Sequence, residues 1–332
     1  MKVKLIKLYL PDSVRLHVGK GGVDEIYDYI PADTMFSALV NAYAIVYGVD
    51  GDELIEVAKA NRLRISSAYP GVEVDGREVR FMPMPRVGRE RSEGEEVDKK
   101  FMKRVRYCEF DIWCELVESI HVQEETGRVV ARMPEGYEWH GMLVREQLPD
   151  EVQPFRQGMV RKVVVDRLAA GTNVFYEATL YVNRVEFDGK MYRPFFSLYA
   201  KGDEGLLRKM FDALIVTGVG GKRSVGEGKL VGYDMREMEL KFNQTEYQVG
   251  LARVYPKRNE VDRLVAYNLV VCSGYVMMVT PTGERRKNVR LLEDGFVSRG
   301  EVEGDMPVVG EYQGKEIYRY GYNFVLNKDE NL

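Results

Sequence analysis

The first periodicity in the chain is two. Ile6, Leu8 and Leu10 are separated by polar or aromatic positions, which predicts a strand over 2–10. Residues 11–32 then carry Gly19, Lys20, Gly21 and Gly22 and close at Pro31, a loop composition. Beyond it the period changes to 3.6. Asp33 stands where an N-cap belongs, Phe36, Leu39, Val40, Tyr43 and Tyr47 fall on one helical face, and Gly48 ends the pattern. A short helix over about 52–61 and a strand over 63–69 follow, and Met82-Pro-Met-Pro85 breaks regular structure. Alternation of Cys108, Phe110, Ile112, Cys114 and Leu116 predicts another strand. Residues 121–160 mix Gly, Pro and charge and read as a long excursion from a core.

Regular pattern resumes in three runs rich in Val, Tyr and Phe, Val160–Leu168, Val174–Asn183 and Tyr192–Ala200, each predicted as a strand. Asp203 is placed to cap a helix carrying Leu206, Leu207, Met210, Phe211 and Leu214. A Gly-rich loop, 218–228, and a short strand over 229–234 follow. The order strand, helix, strands, helix, strand is that of a ferredoxin-like βαββαβ unit with a large insertion between its halves. Residues 235–246 look like a connector. Then come β-like runs at 247–255, 264–272 and 275–280, a Ser273-Gly274 hairpin turn, and a last strand at 317–326. The predicted class is α+β in two units: 1–235, with an insertion around 86–155, and a smaller α+β unit, 236–332.

Composition narrows the choices. The chain has 332 residues, 48 Lys+Arg against 52 Asp+Glu, a formal net charge of −4 and 45% hydrophobic residues. It is long enough to bury a real core and too apolar for disorder. Three cysteines, Cys108, Cys114 and Cys272, make no disulfide framework and suit a reducing cytoplasm. There is no apolar run of about 20 residues and no signal-peptide layout, so no membrane association is expected. The mean charge argues against nucleic acid, but its distribution does not. Lys99–Arg106 holds five bases and no acid, and 285–290 is +4.

The Gly-rich loop, Gly218-Val-Gly-Gly-Lys-Arg-Ser-Val-Gly-Glu-Gly228, is the sharpest chemical feature. Glycines let backbone N–H groups approach phosphate oxygens, and Lys222 and Arg223 add charge. It is neither a P-loop, since Val216 and Arg223 occupy positions that motif reserves for Gly and Ser/Thr, nor a dinucleotide fingerprint, since it lies between a helix and a strand. It also fits a plain surface turn. Of three histidines, His17 lies near the first glycine cluster and suits a general base, a phosphate contact or a hydrogen-bonded half-buried residue. Asp24 and Glu25 suit a divalent cation or simple solvation. No zinc spacing and no Gly-x-Ser-x-Gly elbow occurs, so neither metal nor cofactor is expected. An Arg at the end of the Val163–Leu168 run, Arg167, is placed to meet a phosphate with Asp166 beside it, or to form a local ion pair.

These segments occur in a particular order. Leu16-His-Val-Gly19, Ile30-Pro-Ala-Asp-Thr-Met-Phe-Ser-Ala-Leu39, Val163-Val-Val-Asp-Arg167, the 218–228 loop and Tyr318-Arg-Tyr-Gly-Tyr-Asn-Phe324 run nearly end to end. The set resembles the RAMP superfamily of CRISPR-associated RNA-binding proteins. Within it, the set resembles the subunit (subunit four) that binds the 5′ handle of crRNA in type III-A Csm effector complexes of antiviral defence. Ala32, Val225 and Glu227 depart from the family pattern.

The resemblance implies two ferredoxin-like, RRM-type domains with a β-hairpin thumb from the first, placed within 86–155. It implies a non-enzymatic subunit that holds the crRNA handle and contacts the large polymerase/cyclase-like subunit and the backbone RAMP subunit. The RNA-binding residues it points to are His17, Lys20, Ser37, Arg161, Arg167, Gly220, Gly221, Lys222, Arg223, Ser224 and Gly226. Lys222, Arg223 and Ser224, with the N–H groups of Gly220 and Gly221, are expected to hold handle phosphates. The alternative is a RAMP endoribonuclease with His17 as base, or a metal-dependent nuclease centred on Asp24.

Overall fold

The computed structural model describes residues 2–22, 24–90, 100, 104–165, 172–238, 246–277 and 281–326, with the backbone alone at 165, 277 and 281–284. The chain is a mixed α+β structure dominated by sheet. Strand β1 (Lys4–Tyr9) lies next to the edge strand of a ten-stranded sheet. After β2 (Ser13–Leu16) come helices α1 (Ala32–Tyr47) and α2 (Asp52–Lys59), then β3 (Tyr69–Val74) and β4 (Arg77–Pro83). β5 (Tyr107–Glu109) leads directly into α3 (Phe110–Glu118). β6 (Phe155–Val165), β7 (Thr172–Asn183), β8 (Lys190–Lys201), α4 (Glu204–Thr217) and β9 (Gly232–Glu237) follow, with shorter strands between these elements.

Four of these strands lie side by side in the order β3-β8-β1-β9, every neighbour antiparallel. Leu5 faces Tyr199 and Leu8 faces Phe196 across the central pair, and all four are buried. α1 and α4 are the crossovers, packed against each other. Gly71 is required where β3 passes β8, because a Cβ there meets the Phe195 ring at 2.4 Å. The sheet extends past β3 through β4, β5 and the short strands Met142–Val144 and Tyr137–Trp139.

Two local expectations change. Asp33 does not cap α1. The helix begins one residue earlier, and the Ala32 N–H donates to Ser67 Oγ at 2.9 Å, so the Asp33 carboxylate is free for another task. The alternating run at 108–116 is a strand only as far as Glu109 and then a helix. Ile112, Trp113, Leu116 and Val117 form a 3.6-period buried stripe that overlays the alternation, and it wins because it has a core to enter.

The longest two-stranded ladder joins β6 and β7, from Phe155 opposite Val182 to Val165 opposite Thr172. β2 pairs only its base, Leu16 opposite Leu180 and Ser13 opposite Asn183. Toward the tip Met159, Val163, Val164 and Tyr176 are exposed. The longest hairpin of the described residues thus starts at the end of the 86–155 segment rather than within it.

From 246 onward the described residues form short ladders, with a 3-10 turn at Arg258–Arg263. Strand β10 (Leu269–Cys272) pairs with β13 (Val289–Leu292), and β11 (Tyr275–Met277) pairs with β12 (Pro281–Arg285). Ser273-Gly274 is therefore not a hairpin turn. It is the offset within one long hairpin, where the Arg286 N–H donates to the Gly274 carbonyl at 2.9 Å. The expected strand at 317–326 is regular only within Lys315–Tyr318, followed by a single bridge at Tyr322. The reason is that this segment is tied to the first half instead. Tyr320 stacks on Phe36 at 4.6 Å, the Ile65 N–H donates to the Tyr320 hydroxyl, and Phe324 accepts from the Leu251 N–H. One apolar cluster runs from Leu5 and Phe36 to Leu251, Tyr320 and Phe324.

Candidate nucleic-acid interface

The Gly-rich loop folds back along the end of β2. The Gly221 N–H donates to the His17 carbonyl at 2.8 Å, the Gly228 N–H to the Arg15 carbonyl at 2.8 Å, and the Val219 N–H to the Gly228 carbonyl at 2.9 Å. Gly228 has φ +73°, and a Cβ there stands 1.9 Å from the Val219 oxygen, so only glycine closes the loop. Lys222 adopts a left-handed conformation and starts a 3-10 turn at Arg223–Val225. The Gly221 N–H, expected to face phosphate, is thus spent within the protein.

The loop's charges divide. Lys222 turns inward to the buried Glu177 carboxylate, which Lys162 also meets at 3.0 Å. Burial by itself would raise the Glu177 pKa, but the two ammonium groups outweigh it and hold the carboxyl below its ordinary range. Glu227, the family-discordant acid, is also buried, with Arg15 at 3.8 Å, so it does not oppose an anion outside. Arg223 turns outward into a cleft.

That cleft, of about 590 Å³, lies between the two halves of the chain. His17, Lys20, Ser37, Gly220, Gly221 and Arg223 line it from the first half. Cys272, Tyr275, Arg285, Arg286 and Arg319 line it from the second. Its cationic walls are Lys20, Arg223, Arg253, Arg285, Arg286 and Arg319, and among the described residues Asp33 is its one acidic lining residue. His17 donates from Nδ1 to the Ala178 carbonyl at 2.9 Å, which leaves Nε2 as the ring's free nitrogen. Lys20 lies over the Tyr27 ring at 5.0 Å. Tyr275 is exposed at the rim.

Other sequence candidates lie elsewhere. Ser224 and Gly226 are exposed on the loop's outer turn and, with Lys222, do not line the cleft. Arg161 sits exposed on β6 opposite Tyr176, on the hairpin rather than the cleft. Arg167 lies outside the described residues, as do Lys99 and Lys103 of the basic run. Asp24 is exposed, and no group of His, Cys, Asp and Glu able to hold a metal occurs among the described residues. Arg285, Arg286 and Tyr275 were missed as site residues. The +4 run at 285–290 was their signal, but nothing local tied it to a loop 60 residues away.

The cleft floor is an ion network. Asp33 pairs with Arg319 at 2.5 Å and Arg253 at 3.6 Å. Arg253 also reaches the Tyr29 hydroxyl at 3.2 Å and lies over the Tyr27 ring at 4.1 Å. Asp294, at 4.0 Å from Arg253, accepts from Tyr29, Ser67 and Tyr69. Burial would raise the Asp33 pKa, but Arg253 and Arg319 hold it below the usual carboxylate range. Two of the family-like segments, around Asp33 and around Arg319, are thereby joined across 286 positions of sequence.

The architecture is one seen in subunits of type III-A CRISPR–Cas effector assemblies. The Csm3–Csm4 subcomplex of a type III-A interference complex contains a chain that matches with a TM-score of 0.62 at 15% identity, covering 97% of this chain and 98% of that one. The Csm1–Csm4 cassette in complex with cA4 matches with a TM-score of 0.55 at 17% identity, covering 99% and 98%. Residues 243–327 match the family model of the CRISPR Csm4 C-terminal domain. The Csm4 protein of Methanocaldococcus jannaschii is 20% identical, covering 92% of this chain and 88% of that protein. The Csm4 protein of Thermococcus onnurineus is 24% identical, covering 89% and 90%. The chain is therefore similar to Csm4 along nearly its whole length, and the resemblance drawn from its motifs holds.

Proposed function

We propose that the chain is the Csm4 subunit of a type III-A Csm complex in the cytoplasm, holding the 5′ repeat-derived handle of crRNA in the inter-half cleft. It bridges the large Csm1-type subunit to the Csm3-type backbone RAMP subunit and carries out no reaction of its own. The observation that carries this reading is the cleft: a cationic trough built from two halves, with backbone at Gly220 and an aromatic rim at Tyr275. Single-stranded RNA is held by this combination of backbone cradling, charge and base stacking. The β3-β8-β1-β9 order with two helical crossovers supports a ferredoxin-like first unit, whereas the described residues after 246 form only short ladders with no α-helix. The β6–β7 hairpin takes the part of the thumb.

The test is retention of crRNA by the complex assembled with its Csm1 and Csm3 partners. Arg223→Ala with Arg285→Ala is expected to lower retention about tenfold or more, and Lys222→Ala by less, because Lys222 already serves Glu177. Retention equal to wild type in the double variant overturns the reading. A second reading has one observation in its favour, since the Nδ1–H bond of His17 leaves Nε2 free to act as a base. Metal-independent cleavage of precursor RNA by the pure protein, lost in His17→Ala, would establish that nuclease instead.

A further inference from the structure

The cleft floor holds more positive charge than its own acids neutralise. Three guanidinium groups, Arg253, Arg286 and Arg319, stand around two carboxylates, Asp33 and Asp294. Asp33 is taken up by Arg253 and Arg319, and Asp294 by Arg253 and three hydroxyl groups. Arg286 feels the Asp33 charge but makes no direct ion pair with either carboxylate. Its Nε is buried without a hydrogen-bond partner, and so is the Nε of Arg319, a residue only 6% exposed. Both side chains line the cleft. Burial, with the Arg319 charge beside it, pushes the Arg286 pKa down to about 10. A buried cation with an open donor is costly to hold, and the cost falls when an anion arrives.

Gly274 makes room for this arrangement. It has φ +137°, and a Cβ there would stand 2.7 Å from Arg286 Nη2. Arg286 thereby sits at the β10–β13 offset, close enough to Arg319 to feel its charge, and lines the same cleft as Arg223.

We propose that Arg286, backed by Arg319, is a phosphate subsite contributed by the C-terminal half, taking one phosphodiester of the RNA strand that Arg223 meets from the other wall. This rests on the RNA-binding reading above and deepens it. The strand is clamped between the halves rather than lying along the Gly-rich loop alone. Asp33 fixes Arg319 and so fixes the subsite from below.

The experiment measures binding of a fluorescein-labelled, repeat-derived single-stranded RNA to the full chain by anisotropy, across a salt series. Arg286→Gln is expected to weaken binding about tenfold, the effect of losing one charge-assisted contact. The slope of log affinity against log salt should fall by about 0.7, one phosphate's share for a single strand. The melting temperature of the free protein should hold or rise, because desolvation and the Arg319 charge outweigh the attraction of Asp33 for this cation, and Arg286→Lys should recover part of the affinity. Wild-type binding by Arg286→Gln, with binding weakened in Arg223→Ala, overturns the subsite and leaves the RNA reading standing. Wild-type binding by both variants overturns both. A fall of several degrees in melting temperature, with no recovery in Arg286→Lys, shows a structural residue and overturns the subsite.

Discussion

Replacing Asp33 by Asn tests the ion network that joins the two halves. The carboxylate is buried and faces Arg319 at 2.5 Å and Arg253 at 3.6 Å. Asn keeps the size and removes the charge, which leaves the buried Arg319 guanidinium without a carboxylate and Arg253 with Asp294 alone, at 4.0 Å. Breaking a buried pair by removing one partner costs about 3–5 kcal/mol, and a loss in that range is expected because Arg319 loses its carboxylate while Arg253 keeps Asp294. The assay is urea unfolding at pH 7, followed by far-ultraviolet circular dichroism and by fluorescence of the two buried tryptophans, Trp113 and Trp139. Coincident transitions license a single free energy. The pH dependence supplies an independent sign. The folded pKa of Asp33 lies below its ordinary value, so its contribution is complete above the unfolded value near 4 and disappears as pH falls through the folded one. The gap between wild type and Asp33→Asn should therefore narrow on acidification below about pH 4. Adding Arg319→Met to Asp33→Asn should cost less than the two losses summed, because it removes one of the stranded charges. A loss under about 1 kcal/mol at pH 7, or a gap unchanged on acidification, refutes the assignment of Asp33 as the keystone.

Two further outcomes follow from the geometry. Gly228→Ala should cost at least about 2–3 kcal/mol by urea unfolding, since it combines a left-handed backbone with a 1.9 Å approach to the Val219 oxygen, whereas Gly226→Ala, also left-handed at φ +88° but with nothing within 4 Å, should cost the backbone strain alone, about 1 kcal/mol. Cys272 and Cys114 have pKa values pushed up to about 11 and about 12, with burial the largest cause, and burial likewise raises that of Cys108. At pH 8 their thiolate fractions fall to about 10⁻³ or less, against about a quarter for a free thiol, so a thiol-reactive disulfide reagent should label them only on unfolding.

The order of the principal elements was legible because each carries its own local cause. Asp203 does cap α4, accepting from the Leu206 N–H at 2.8 Å, and the Val- and Tyr-rich runs became β6, β7 and β8. Asp33 was misread for the same reason that Asp203 was read correctly. Both precede an apolar helical stripe, but only Asp203 has no distant arginine competing for it. At 108–116 two periods coincided, and the available core chose between them. The cleft was half legible. His17, Lys20, Ser37 and Arg223 were marked by glycines and charge, whereas Lys222 looked identical to Arg223 in sequence and faces the other way, because Glu177 waits on β7.

The sequence by itself determined most of the principal strands and helices, which segments are too glycine-rich to be regular, and which family the ordered motifs resemble, since those properties depend on neighbours along the chain. The tertiary structure decided which charges are spent and which are offered. It turned a +4 run at 285–290 and a glycine loop at 218–228 into opposite walls of one cleft, and it set Asp33 beneath them. Charge is a property of residues, but its availability depends on what folding brings within about 4 Å, and residues 286 positions apart give no local sign of meeting.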